Sequence, residues 1–127
     1  MLVYRVEHKK DGMGPYRSYE GGSFVQKMKD KHNDSDYHKT PNSEFHRNKS
    51  FYMEEDMYCG FNSIESLKVW FKGFRAAMRK NKYVLKVYKA PSKNILCVGS
   101  ETGQVVFYRD ECKLLKVKEI PWPYVSI

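Results

Sequence analysis

Residues 62–81, NSIESLKVWFKGFRAAMRKN, decide the fold that we expect for this chain. Apolar residues in this stretch recur at intervals of three and four, the period of one face of an α-helix. They are Ile64, Leu67, Phe71, Phe74 and Met78. Asn62 is a suitable N-cap with Glu65 three residues later, and Asn81 is a suitable left-handed residue to end the helix. The pattern therefore predicts one long amphipathic helix over residues 63–80.

Strand patterns lie on both sides of this helix. From Leu2 to His8 the chain reads as a strand with Tyr4 and Val6 on one face, and Arg5 and Glu7 on the other. A short strand over residues 57–61 precedes the helix, and turn residues separate four strands after it. These four strands are expected over residues 83–89, 94–98, 104–108 and 113–118. This order predicts an α+β fold with a mostly antiparallel sheet.

Length and composition favour one domain that is neither membrane-spanning nor metal-bound. The chain has 127 residues, 41% of them hydrophobic, which suits a single domain over residues 1–127. The polar segment 32–50 is expected to be a mobile or functional loop. No apolar run reaches the roughly 20 residues of a membrane span. Three cysteines without paired spacing favour a reducing cytoplasm, and His32, His38, His46 and Cys59 lack the spacing of a zinc site.

The positive charge of the chain is concentrated around the predicted helix. The net charge is +8, and residues 63–93 hold nine Lys and Arg against Glu65 alone. Such a surplus attracts an anionic surface, either nucleic acid or an acidic protein face. The alternative is a solvated helix face that only keeps the protein soluble. The candidate binding residues are Lys68, Lys72, Arg75, Arg79 and Lys82.

Nucleic-acid binding also has support from the aromatic content, because the chain has 10 tyrosines that offer rings for base stacking. The alternative is that these tyrosines are ordinary sheet residues. Both interpretations apply to Tyr4, Tyr16, Tyr19, Tyr37, Tyr52, Tyr58, Tyr83, Tyr88 and Tyr108. No nucleic-acid recognition motif accompanies them.

Four short strings carry a resemblance to known proteins. They are YRVEH at 4–8, GPY at 14–16, CGFNSIESL at 59–67 and GQVVF at 103–107. Together they resemble a group of small phage-encoded proteins. Their order is also similar to a minimal ADP-ribosyltransferase domain, over residues 2–8 and 57–119. The resemblance implies a phage protein that acts in the cytoplasm of its bacterial host.

The ADP-ribosyltransferase resemblance implies NAD as a possible cofactor. Arg5 would grip phosphate or ribose through its planar guanidinium group. His8 would bind ribose or move a proton, and Tyr16 would stack on nicotinamide. These three side chains and Gln104 would then converge on one cleft.

The position that matches the catalytic Glu of those enzymes holds Gln104, whose neutral amide cannot act as a base. The nearest carboxylate in the sequence is Glu101, which would have to supply that role. The alternative for Arg5 and Glu7 is a pair of neighbours on the solvent side of a strand.

These observations favour a non-enzymatic inhibitor of a host factor, such as a defence system. It would dock through the basic helix and the 32–50 loop. The first alternative is an active NAD-dependent ADP-ribosyltransferase. The second alternative is a nucleic-acid-binding protein that uses the basic helix.

Overall fold

A computed structural model of the chain describes residues 1–15, 56–100 and 102–120. Its strands are β1 (Leu2–His8), β2 (Tyr58–Phe61), β3 (Tyr83–Lys89), β4 (Ile95–Val98), β5 (Gln104–Phe107) and β6 (Lys113–Glu119). They form one sheet in the order β4-β5-β2-β1-β3-β6, and all of these neighbours are antiparallel. The α+β fold with a mostly antiparallel sheet is therefore confirmed. The predicted 32–50 loop lies outside the described residues.

Strand β1 lies inside the sheet, between β2 and β3. Tyr4 is opposite Phe61 of β2, and Arg5 is opposite Lys86 of β3. The alternation read from the sequence is confirmed, because even-numbered β1 residues face the helices and odd-numbered ones face the opposite side. We call these two faces the helix side and the far side.

The helical segment differs from the prediction of one helix over residues 63–80. The structure has two short helices, α1 (Ile64–Trp70) and α2 (Arg75–Lys80). Gly73 lies between them at φ +92°, a left-handed backbone conformation that glycine adopts without strain and a helix cannot contain. The interruption still lets Leu67 and Met78 reach the same core.

The helix ends also differ from the prediction. Ser63 rather than Asn62 is the N-cap of α1, and its Oγ accepts a hydrogen bond from the Ser66 amide at 3.1 Å. The left-handed residue after α2 is Lys82, at φ +66°, and not Asn81. The Asn81 side chain instead donates to the carbonyl of Ala77 at 2.7 Å, and this carbonyl also accepts from the Asn81 backbone amide at 3.0 Å.

Both faces of the sheet are packed. The helix-side core contains Val6, Phe61, Leu67, Trp70, Phe71, Met78, Tyr83, Leu85 and Ile120. The far-side core contains Val3, Tyr58, Tyr88, Ala90, Val105 and Phe107. Within the described parts of the chain, no helix has the length and apolar character needed to cross a membrane.

Candidate functional site

A buried carboxylate on the far side of β1 organises the most polar part of the interior. Glu7 Oε2 accepts hydrogen bonds from Arg5 Nε at 2.8 Å, Tyr88 Oη at 2.7 Å and Arg109 Nη1 at 3.2 Å. Its other oxygen, Oε1, lies 2.9 Å from Lys86 Nζ. We call these five residues the Glu7 cluster.

The strand register brings most of this cluster together. Arg5 and Glu7 are two positions apart on β1, so their side chains leave the same face. Lys86 lies directly opposite Arg5, and Tyr88 follows two positions later on β3. Arg109 comes from a single 3-10 turn (Arg109–Glu111) after β5, and it is 102 positions from Glu7.

Both arginines are held by further contacts of the protein itself. Arg5 Nη1 donates to the carbonyl of Cys59 at 2.6 Å, and Arg109 Nη1 also donates to the carbonyl of Gly12 at 2.7 Å. The two guanidinium carbons lie 4.9 and 3.9 Å from the centre of the Tyr58 ring, within the range of cation–π attraction. These donors are therefore engaged inside the fold.

Close backbone approach completes the burial of Arg5. A Cβ atom placed on Gly14 would lie 3.3 Å from Arg5 Nη2, tighter than ordinary van der Waals contact. Only a residue without a side chain leaves the guanidinium group in place at this distance. The Gly14 loop thus packs directly on the arginine.

The cluster keeps its carboxylate ionised. Burial by itself raises the pKa of Glu7, but the charge of Arg5 and hydrogen bonds from Lys86 and Tyr88 outweigh it. The pKa of the Glu7 carboxyl is therefore lowered from its ordinary value. Burial and the hydrogen bond to Glu7 raise the pKa of Tyr88, so its hydroxyl remains a donor.

The structure does not bring the predicted catalytic residues into one cleft. Arg5 lies on the far side, whereas His8 and Gln104 lie on the helix side, where Gln104 is opposite Phe61. His8 is buried, its Nδ1 accepts from the Lys10 amide at 3.1 Å, and its ring contacts Tyr83 edge-on. Two further predicted site residues, Tyr16 and Glu101, lie outside the described residues.

The alternative interpretation of Arg5 and Glu7 is correct in one respect. They are same-face neighbours on a strand and form an ion pair. However, their side chains are 6% and 1% exposed, so the pair lies in the interior and not on the solvent side. Packing by Tyr58 and Arg109 on the far side produces this difference.

The predicted basic stripe is divided between two helices. Lys68 lies on α1, Lys72 in the turn between the helices, and Arg75 on α2, so their spacing no longer defines one helix face. Arg79 forms an exposed ion pair with Glu119 of β6. On the helices and their turns, the exposed lysines among the described residues are Lys72, Lys80 and Lys82.

Metal and thiol chemistry receive little support from the described residues. They contain no group of three or more His, Cys, Asp or Glu side chains arranged to hold a metal ion. Burial raises the pKa of the thiols of Cys97 and Cys112, the opposite of what a nucleophilic cysteine requires.

An open depression of about 420 Å³ lies where β5 ends, lined by Asp56, Lys93, Asn94, Tyr108, Asp110 and Glu111.

Sequence reasoning missed the role of Glu7 and the involvement of Lys86, Tyr88 and Arg109. A carboxylate among the apolar residues of an interior strand was the available signal, because such a charge must be paired when it is buried. For Arg109 there was no local signal, since its contact depends on a turn distant in sequence.

A comparison with known protein families finds one match over almost the whole chain. The model of a family described as Bacteriophage T4 Y00F protein matches residues 1–121. Neither curated proteins nor solved structures give a match.

Proposed function

The chain belongs to the Bacteriophage T4 Y00F protein family, and from that premise we propose that it binds and inhibits an acidic protein in the host cytoplasm. A component of a host defence system is the expected class of target. Binding would occur through the basic residues of the two helices and their turns. We call this the helix surface, and it comprises Lys68, Lys72, Arg75, Arg79, Lys80 and Lys82.

The charge balance of the helix surface carries the proposal. From Ser63 to Lys82 the sequence has one acidic residue, Glu65, and the structure supplies Glu119 as a partner for Arg79. Counted over the described residues, the surface therefore has a net positive charge that would steer an anionic partner towards it.

An exposed apolar side chain on the same helix favours a protein partner. Val69 is 65% exposed and directly follows Lys68 on α1. Apolar contacts surrounded by charged groups are the usual composition of a protein interface, with an apolar centre and a polar rim. A nucleic-acid backbone would gain little from this contact.

The aromatic residues support the same choice. Tyr58, Tyr83 and Tyr88 are buried in the two cores, so they do not present a ring face to a base. Their positions match the alternative of ordinary sheet residues. Of the other tyrosines, Tyr4 and Tyr108 are half-buried and the rest lie outside the described residues. Among the described tyrosines, these three therefore add nothing to the case for nucleic acid.

The chemistry at Arg5 favours binding over catalysis. Its Nε and Nη1 are engaged with Glu7 and Cys59, and Gln104 lies on the other face of the sheet. Calorimetric titration with NAD tests the enzymatic alternative. We expect no heat of binding; a saturable signal that disappears in a folded Arg5→Ala variant would favour a nucleotide site instead.

The principal test compares two matched double reversals. Lys72→Glu/Lys80→Glu changes the helix surface, whereas Lys89→Glu/Lys93→Glu changes the same amount of charge near the opposite end of β3. Each immobilised protein is exposed to nuclease-treated lysate of the bacterial host at low and high salt. We expect the first variant to lose the proteins that the unchanged chain and the second variant retain.

Two results would contradict the proposal. Retention of the same proteins by the helix-surface variant would show that this surface does not bind them. If retention instead depends on nucleic acid surviving in the lysate, the partner is a nucleic acid. A retained protein is then purified, and its activity is measured with and without the phage protein to test inhibition.

A further inference from the structure

Strand β6 forms one edge of the sheet and is exposed along its whole length. All seven of its residues are exposed, and among the described residues it pairs with β3 alone. An edge strand presents unpaired amide and carbonyl groups on its outer side. It is therefore a surface on which a further strand can form.

The side chains of β6 are sorted by face. Lys116 lies opposite Val87 and Lys118 opposite Leu85, so both lysines belong to the helix side. A register shift at Val87/Tyr88 leaves Leu115 as an additional residue of β6, as in a β-bulge. On the far side, Leu114 lies opposite Tyr88 and Val117 opposite Lys86.

The apolar residues of β6 are exposed to solvent. Leu114, Leu115 and Val117 are 44%, 41% and 54% exposed. Lysines on an edge strand ordinarily discourage pairing with other chains. On β6, the same lysines would favour a partner strand that carries acidic side chains on the helix side.

Two registers in which a second copy of the chain could pair with this edge set lysines against each other. Antiparallel self-pairing that aligns Leu115 with Val117 also sets Lys116 against Lys116, and like charges directly opposite are destabilising. Shifting the register by one residue aligns Lys113 with Lys118. Glu119, the one acidic residue of β6, already pairs with Arg79.

We infer that β6 accepts an extended segment of the partner protein as a seventh strand. This segment would carry acidic side chains opposite Lys116 and Lys118, and apolar side chains opposite Leu114 and Val117. Backbone hydrogen bonds would supply affinity and the alternating side chains specificity. The inference rests on the proposed function and deepens it, because it defines the form of the acidic partner.

The test uses a fluorescein-labelled octapeptide of alternating Glu and Val. We expect saturable binding by anisotropy, and slower hydrogen exchange of the amides of residues 113–119 in its presence. Two further peptides are N-methylated, one on every Glu and the other on every Val. Only alternate amides of an added strand bond to β6, so one methylated peptide should lose binding and the other should retain it.

Two variants locate the site. Lys116→Glu/Lys118→Glu should weaken binding about tenfold, the effect expected when two opposite-charge cross-strand pairs become like-charge pairs. The control variant Lys93→Glu should bind the peptide within about twofold of the unchanged protein, since Lys93 is exposed and lies outside both β6 and the helix surface.

Four outcomes would overturn the inference. Equal binding of both methylated peptides, or unprotected β6 amides, would show attraction by charge without strand addition. A dimer in sedimentation with protected β6 amides would show that a second copy occupies the edge. Absence of peptide binding would reject the β6 site, while loss of lysate partners in the helix-surface variant would still support the proposed function.

Discussion

Arg5 Nε lies 2.8 Å from Glu7 Oε2, and the two side chains are 6% and 1% exposed. A strand in the interior of the sheet thus carries an ion pair between its own neighbours, two residues apart. Lys86 and Arg109 also pair with this carboxylate. One carboxylate therefore pairs with three cations, of which Arg5 is buried and Lys86 and Arg109 are 22% and 19% exposed. Its removal should affect stability strongly.

Replacing the carboxylate by an amide tests this dependence. Glu7→Gln should lower the free energy of unfolding by about 3–5 kcal/mol, because it leaves buried cations without a counter-charge. Urea denaturation measures the change, with exposed Glu65→Gln as a control expected to stay within about 0.5 kcal/mol. A loss below about 1 kcal/mol at Glu7 would contradict the buried network.

Acid should weaken the cluster in a defined direction. The pKa of Glu7 is lowered on folding, so its stabilising contribution is fully present above the ordinary carboxyl value of about 4.5. It is lost as the pH falls through the lower value of the folded state. The difference in unfolding free energy between unchanged protein and Glu7→Gln should therefore be constant from neutral pH down to about pH 5 and shrink below it. If the difference in unfolding free energy instead grows on acidification, folding raises the pKa of Glu7 rather than lowering it.

The hydroxyl of Tyr88 makes a separable contribution. Its hydrogen bond to Glu7 Oε2 is 2.7 Å long and buried, and bonds to charged groups contribute about 1.5–3 kcal/mol. Tyr88→Phe should cause a loss in this range by denaturation. Tyr108→Phe, at a half-buried tyrosine, is the matched control, and equal losses in the two variants would argue against a special role for Tyr88.

The break between α1 and α2 can be tested by whether one substitution raises or lowers the stability of the protein. Gly73 has φ +92°, so Gly73→Ala should destabilise the protein by about 1–2 kcal/mol. In a continuous helix the same change would stabilise by about 1 kcal/mol. An increase in the thermal midpoint would therefore favour the single helix predicted from the sequence.

The strands were predictable because their signal is local. A period of two and clear turn residues were enough to define β1 and β3 with the bounds that the structure shows. For the helical segment, only the contacts of its apolar residues with the core could be predicted. Leu67 and Met78 do reach the core, but periodicity carries no information on the backbone angle at Gly73, which lies between the two helices.

The burial of Arg5 and Glu7 could not be predicted from the local sequence, for a different reason. The period-two alternation predicted that Arg5 and Glu7 share one face of β1, but it did not predict that this face is covered. Whether that face is solvated depends on Tyr58 and Arg109, which arrive from other parts of the chain. Arg5 and Gln104, both predicted to line a nucleotide cleft, lie on opposite faces of the sheet. The register decides this, because Tyr4 is opposite Phe61 and Phe61 is opposite Gln104.

The position of β1 also sets an order of events during synthesis. This strand is made early, yet β2 begins at Tyr58 and β3 at Tyr83, so β1 leaves the ribosome with neither neighbour available. Its two charged residues stay hydrated until their partners are made, the last of them Arg109. Such distant contacts slow folding and prolong the exposure of unpaired strand edges. Closure of the interior must therefore wait for residue 109, and a nascent chain interrupted before it lacks one of the three cations that pair with Glu7.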